Sequence, residues 1–373
     1  MGKTTTTSRT LSAAEADAFG RELDALREEV VQDLGQADVD HIRRTLRAAR
    51  YAEAGGRLAL ALGLDPVTFA AGAGALALSK ILENMEVGHN VMHGQYDWTK
   101  DPALDSRRYE WDIVCTGDDW RHSHNFEHHT FTNILGKDRD VGYALLRVTA
   151  EQRWHAGHLV QPVSALVLAF VFQWGVALHD LRLDEALTGR LPLAKLRQHA
   201  RPFLAKAASQ LAKDYALFPA LALLNAPRVL AGNLIANGAR NLWAFAVIFC
   251  GHFPDGVRVY TEEEVRGESR GAWYVRQLNG SANIEGGPLL HLMTGHLSFQ
   301  IEHHLFPDLP ASRYPALAPR VRALCERYGQ AYNTGPFHRQ LASVARRILR
   351  HALPSTPAAR PRIVPAAAQR AAA

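Results

Sequence analysis

The sequence predicts an all-α fold, with a helical bundle embedded in a membrane and a helical cap on its cytosolic side. Three observations carry this expectation. Two long apolar stretches, 159–178 and 216–253, stand out from an otherwise polar chain. The first has no charged residue over about the length that crosses a hydrocarbon core. Ahead of them, apolar residues recur at helical spacing. Histidines, finally, gather in three compact clusters that all fall outside the apolar stretches.

The elements follow in order. Ser12 with Glu15 forms a capping box, and Phe19, Leu23, Leu26 and Val30 then recur at helical spacing, so 12–50 reads as two amphipathic helices. Residues 1–57 are accordingly assigned to an N-terminal lead-in and 58–340 to the main domain. The Ala-, Leu- and Gly-rich segment 58–82 is broken at Asp65-Pro66, which gives either one kinked span or two short pieces. Residues 159–178 form the best candidate for a crossing. The stretch 216–253, interrupted by Pro219, Pro227, Arg228 and Arg240, holds one span or a hairpin.

Between these stretches lies a basic segment, 183–214, with Arg190, Lys195, Arg197, Arg201, Lys206 and Lys213. The positive-inside rule puts it on the cytoplasmic side. Single crossings at 159–178 and 228–250 would put it outside if the histidines on either side share one site. Either 159–178 does not span fully, or 216–250 is a hairpin. Beyond Pro354 the chain is Pro-, Ala- and Arg-rich, and 354–373 reads as a disordered tail.

Bulk properties constrain less. A net charge of +5 suits anionic membrane surfaces or phosphorylated substrates, and equally an ordinary basic surface. Mean hydropathy slightly below zero fits a soluble helical protein with buried apolar helices nearly as well as a membrane protein. Cys115, Cys250 and Cys325 are widely spaced with no CxxC pair, which excludes a disulfide framework and a zinc ribbon. No feature points to nucleic acid as a partner.

The chemistry lies in the histidines. His89 and His93 are spaced to share one helical face. In the run 122–129, His124 and His128 share a face and His129 projects to a neighbouring direction. His303 and His304 follow Gln300 by one turn, with Pro307 ending the helix. Seven imidazoles exceed one tetrahedral zinc site, and two metals follow more naturally.

The segments HNVMH (89–93), HNFEHH (124–129) and QIEHHLFP (300–307), in this order and with an apolar region between the last two, resemble the three histidine boxes of membrane fatty acid desaturases. The likeness covers roughly Glu83 to Leu309. Gln300 in the first position of the third box is similar to the acyl-CoA and front-end members. The resemblance implies a non-haem di-iron centre held by His89, His93, His124, His128, His129, His303 and His304. Gln300, Asn283, Asn279 and His296 are candidates for further ligands, with His122, His252 and His291 ranked as nearby alternatives. It also implies O2 as co-substrate, an acyl-CoA or acyl-lipid substrate, and electrons from NAD(P)H through a separate donor, either a ferredoxin and its reductase or a b-type cytochrome.

Carboxylates should fix the imidazole tautomers; Asp97, Asp119 and Asp140 are the prime candidates, with Glu127, Asp138 and Glu302 also close in sequence. Arg121 and Lys137, beside the second box, are candidates for a phosphorylated head group, since Arg matches phosphate geometry. The expected activity is insertion of a cis double bond into an acyl chain at the cytosolic face of a membrane. Rival readings are a related di-iron hydroxylase, a membrane zinc hydrolase, and a protein that transports or stores metal. The absence of HExxH counts against the commonest zinc hydrolases, and clusters outside the apolar stretches count against a transport pathway.

Overall fold

The structure, a computed structural model, describes residues 8–356. The tail reading for 354–373 therefore falls almost wholly outside the described residues. The main helices are α1 (Ala13–Gln32), α2 (Gln36–Leu62), α3 (Pro66–Leu82), α4 (Gly117–Trp120), α5 (Gln161–Phe170) and α6 (Phe172–Asp180) in the first half. The second half has α7 (Leu193–Leu211), α8 (Ala226–His252), α9 (Arg270–Asn279), α10 (Gln300–Leu305), α11 (Tyr314–Arg327) and α12 (Phe337–Ala352). One short parallel pair, β1 (Asn283–Glu285) with β2 (Thr334–Pro336), sets Asn283 opposite Thr334. The chain is otherwise helical among the described residues, as the spacing predicted.

Ser12 and Glu15 cap α1 reciprocally: the Glu15 amide donates to Ser12 Oγ at 3.3 Å, and the Ser12 amide to Glu15 Oε2 at 2.8 Å. Phe19, Leu23 and Leu26 are buried in one core with Tyr274, Ile301, Phe306 and Tyr314. Helix α1 crosses α9 so closely that a Cβ on Gly271 would lie 2.0 Å from the Ala16 carbonyl oxygen. Helix α1 thus packs directly behind the third histidine cluster, while Ile42 of α2 packs against Val87 and Val91 of the first.

The segment 58–82 folds as a hairpin. Helix α2 ends at Leu62, and Asp65 caps α3 by accepting from the amides of Val67 at 2.8 Å and Thr68 at 3.0 Å. A second hairpin reverses at 222–225, where Leu223 is left-handed (φ 51°), joining α7 and its continuation to Leu221 with α8. The two hairpins pack side by side through Leu60, Leu76, Val229 and Ala236. The Asn225 amide donates to the Ala61 carbonyl at 2.8 Å, which sets the two tips together.

The stretch 159–178 does not form one straight rod. Its two helical parts, Ala156–Phe170 and Phe172–Asp180, meet at 98°. Val171 leaves the helical conformation (φ −113°, ψ 28°), and Leu168 folds onto Gly175, where a Cβ would lie 2.3 Å from Leu168 Cδ1. Among the described residues, Leu223–His252 is the one helix long and apolar enough by itself to cross a membrane.

Candidate metal centre

Helix α3 runs without a break into a π-helical turn, Glu83–His89, and on to Met92. The second cluster follows the same plan, with α4 passing into a π segment, Arg121–His128. The amide of His129 reaches back to the carbonyl of His124, an i to i+5 bond. A π turn accommodates an extra residue, so His128 and His129 both follow one turn after His124. Their rings lie 5.1 and 4.9 Å from the His124 ring. His128 stacks on His124 at 23° while His129 stands at 81° to it, the neighbouring direction expected from the spacing, and the wider turn keeps all three together.

Two groups of imidazoles result. The donor nitrogens of His89, His93, His124 and His303 all lie within 4.8 Å of one another, and so do those of His128, His252 and His304. His129 stands between the groups, with its ring 4.7 Å from His93 and stacked at 4.5 Å on His304. All seven predicted histidines therefore converge. His252, at the end of α8, joins them; in the sequence it ranked only as a nearby alternative. Gly251 permits this approach, because a Cβ there would meet Gln300 at 2.9 Å.

Outer residues fix the tautomers. Asp138 accepts from His128 Nδ1 at 3.1 Å and also takes the Asn133 amide at 2.6 Å. Gln277 accepts from His304 Nδ1 at 3.0 Å, and Asn90 from His89 Nδ1 at 3.0 Å. Asp140 lies 3.6 Å from His124 Nδ1, 3.8 Å from His128 Nδ1 and 3.5 Å from His179 Nε2. The contacts at Nδ1 of His89, His124, His128 and His304 leave Nε2 of each ring with its lone pair facing the other imidazoles.

Those inward nitrogens lack protein partners. Nε2 of His93, His124, His128 and His303, and both ring nitrogens of His129, are buried without a hydrogen bond, as is Gln300 Oε1. His304 Nε2 and His252 Nε2 face each other at 3.2 Å, with Gln300 Nε2 2.9 Å from the latter. Buried polar atoms are normally satisfied. Burial holds His129, His303 and His304 well below the ordinary imidazole range, so they are neutral at pH 7, the form in which imidazole binds metal. For His128 burial acts the same way, but Asp138 and Asp140 outweigh it and raise the group.

Other predicted residues are engaged elsewhere. Asn279 accepts from Ser8 Oγ and donates to the Val275 carbonyl. Asn283 is occupied by the Ile301 amide, Glu302 and Tyr332. His296 pairs with Glu86 at 2.8 Å, in a separate cluster with His41. Asp97 holds Ser106, and Asp119 holds Thr116 and His199. Arg121 clamps the carbonyls of Ser106 and Tyr109 and pairs with Asp118. Lys137 lies 3.8 Å from Glu262. His122 is exposed, and His291 bonds Ser298 at 2.7 Å. Glu127 pairs with Arg182, and Glu302 is buried between Asn283 and Tyr332.

Residues 66–336 match the family model described as fatty acid desaturase. The chain is a member of the fatty acid desaturase family. This desaturase is 45% identical over 348 residues to the NADPH-dependent stearoyl-CoA 9-desaturase of Mycobacterium tuberculosis, covering 92% of this chain and 82% of that protein. It is 27% identical to the sn-1 linoleoyl-lipid 6-desaturase of Synechocystis over 70% of this chain and 74% of the relative. To fatty acid desaturase 3 of Bos taurus it is 30% identical over 61% of this chain and 49% of the relative. The desaturase is thus an oxidoreductase acting on fatty acyl chains. A cavity beside its histidines is lined by His89, His124, His128 and His252, and by the apolar Trp111, Phe172, Ala244 and Ile248.

Proposed function

We propose that this desaturase introduces a cis double bond into an acyl-CoA at a non-haem di-iron centre, at the 9 position named for its mycobacterial relative. The observation that carries the di-iron reading is the set of buried, inward-facing imidazole nitrogens without partners. Two neutral lone pairs 3.2 Å apart, as on His252 and His304, repel unless a cation or a shared proton lies between them. Nitrogen-rich donors suit iron as they suit zinc, and the family membership selects iron.

His89, His93, His124 and His303 would hold one iron; His128, His252 and His304 would hold the other, with His129 between and Gln300 next to His252. Bound iron, with O2 and two electrons, supplies the oxidant that removes hydrogen from an unactivated methylene pair. The chain's own residues do the rest. Asp138, Gln277 and Asn90 hold protons on the outer ring nitrogens of His128, His304 and His89. Trp111, Phe172, Ala244 and Ile248 offer an apolar bed for the acyl chain along the histidine wall. The NADPH in the relative's name supports NADPH as the electron source, delivered through a separate protein.

We place the protein in a membrane with its histidines on the cytosolic side. Support comes from exposed apolar residues at both hairpin tips: Leu62, Leu64 and Val67 on one, Leu221, Leu223 and Leu224 on the other. Patches of this kind mark membrane contact. A row along α5, including Val163, Leu166, Val167 and Phe170, is also exposed and suits a helix lying in the interface. With membrane entry confined to the hairpin tips, the basic segment 183–214, which forms the base of the second hairpin's first arm, and all three histidine clusters lie on one side, which removes the parity conflict.

The test combines metal content of the purified protein with lipid analysis of cells expressing it and a His128→Ala variant. About two irons per chain and a new double bond that the variant does not make are expected. Zinc without iron, and unchanged acyl chains, would overturn the proposal.

A further inference from the structure

One polar cluster lies outside the proposed ligands. Glu86 is fully buried in the π turn that leads into His89. His41 Nε2, from α2, donates to its Oε1 at 2.7 Å, and His296 Nδ1 donates to its Oε2 at 2.8 Å. Both carboxylate oxygens are thus satisfied at hydrogen-bond distance by protein donors. The trio is a latch rather than a cage with open lone pairs.

What the latch holds is the loop leading into the third cluster. His296 has a left-handed backbone (φ 56°), unfavourable for a residue with a Cβ, and so does its neighbour Gly295 (φ 65°). Gly295 packs against the first cluster's helix so tightly that a Cβ would lie 2.2 Å from the Met85 carbonyl oxygen. A second tie runs parallel to the first. Asn90 donates to the Gly295 carbonyl at 3.4 Å, while its Oδ1 accepts from His89 Nδ1. The Glu86–His296 and Asn90–Gly295 contacts therefore bracket His89. Strained backbone persists where its surroundings over-determine it, and a buried carboxylate requires its donors.

We infer that Glu86 is a positioning residue: by gripping His296 it sets the approach of the third histidine box to the first, and so the spacing of His89 and His303. Their rings lie 4.9 Å apart. The inference rests on the di-iron reading, in which both belong to one metal.

The experiment compares wild-type protein with Glu86→Ala and His296→Gly, purified in detergent, by iron content, Mössbauer spectrum, and kcat against KM. Gly takes the left-handed backbone without a Cβ penalty and has no side chain to reach Glu86, so this variant removes the latch without adding backbone strain. Both variants are expected to keep their helical content and their KM for the acyl substrate. Iron affinity or kcat should fall about 10- to 100-fold, with a changed Mössbauer spectrum. Wild-type spectrum and kcat in His296→Gly would overturn the inference, even if Glu86→Ala fails to fold. Absence of iron from the wild-type protein would defeat the di-iron reading instead, which keeps the two failures distinct.

Discussion

His252 illustrates how a single residue is judged by its surroundings. It has no partner histidine at helical spacing, yet its ring lies 4.7 Å from that of His128 and 4.8 Å from that of His304. Replacing it with alanine should leave the first imidazole group loaded and empty the second, halving iron content and abolishing desaturation; metal analysis beside product analysis checks this. Acid provides a second test. His129, His303 and His304 have folded-state values depressed by burial, against about 6.5 in the unfolded chain. Below that value the unfolded chain binds more protons, so these groups lower stability as pH falls. His89, His93 and His124 are lowered by burial too and add to this, while His128, raised by Asp138 and Asp140, and the buried carboxyls of Glu302 and Asp180, raised to about 7 and about 6, act in the opposite sense, three groups against these six. The thermal midpoint of the metal-free protein should fall between about pH 7 and about pH 5. A flat profile would contradict this.

Helical elements here are joined by buried charge as well as apolar contact. Asp214, in the continuation of α7, takes Lys80 of α3 at 2.8 Å, Asn237 of α8 at 3.0 Å and Arg57 of α2 at 3.3 Å. One carboxylate thus ties both hairpins. Asp214→Ala leaves Lys80 with only Asp112, at 3.3 Å, and removing one partner of a buried pair costs about 3–5 kcal/mol. The expected result is a loss near the lower end of that range, measured by thermal unfolding in detergent. The same elements show why helical spacing was only partly informative. The Asp65-Pro66 break was legible as a kink or a boundary between two pieces, because Asp caps and Pro starts helices, but the reversal into a hairpin was not. The π turns at 83–89 and 121–128 were not, since no residue type announces an extra residue per turn and only packing around the histidines selects it.

For the whole molecule, the two hairpin tips form one exposed apolar end, with Leu64 at 87% and Leu224 at 98% exposure. Leu64→Glu with Leu224→Glu should shift the protein from the membrane fraction toward the soluble or aggregated fraction without altering the histidine groups. Liposome flotation of the purified protein reads this directly, and unchanged flotation would contradict membrane entry at the tips. The 98° bend at Val171 belongs to this scale as well. An uncharged run of the right length satisfies hydropathy for a crossing, but the fold-back of Leu168 onto Gly175 is a tertiary contact.

The sequence by itself determined the helical class, the capping of α1, the three histidine boxes and the family they resemble, because these depend on residue type and near-neighbour spacing. Tertiary structure alone decided that His252 joins the centre, that of the candidate carboxylates Asp140 and Asp138 face the imidazoles while Asp97 and Asp119 do not, and that Glu86 and His41 hold His296 apart. His252 and His304 are separated by 52 positions and Glu86 and His296 by 210. Such meetings follow from how helices pack around close glycine contacts at 251, 271 and 295, which no local period encodes.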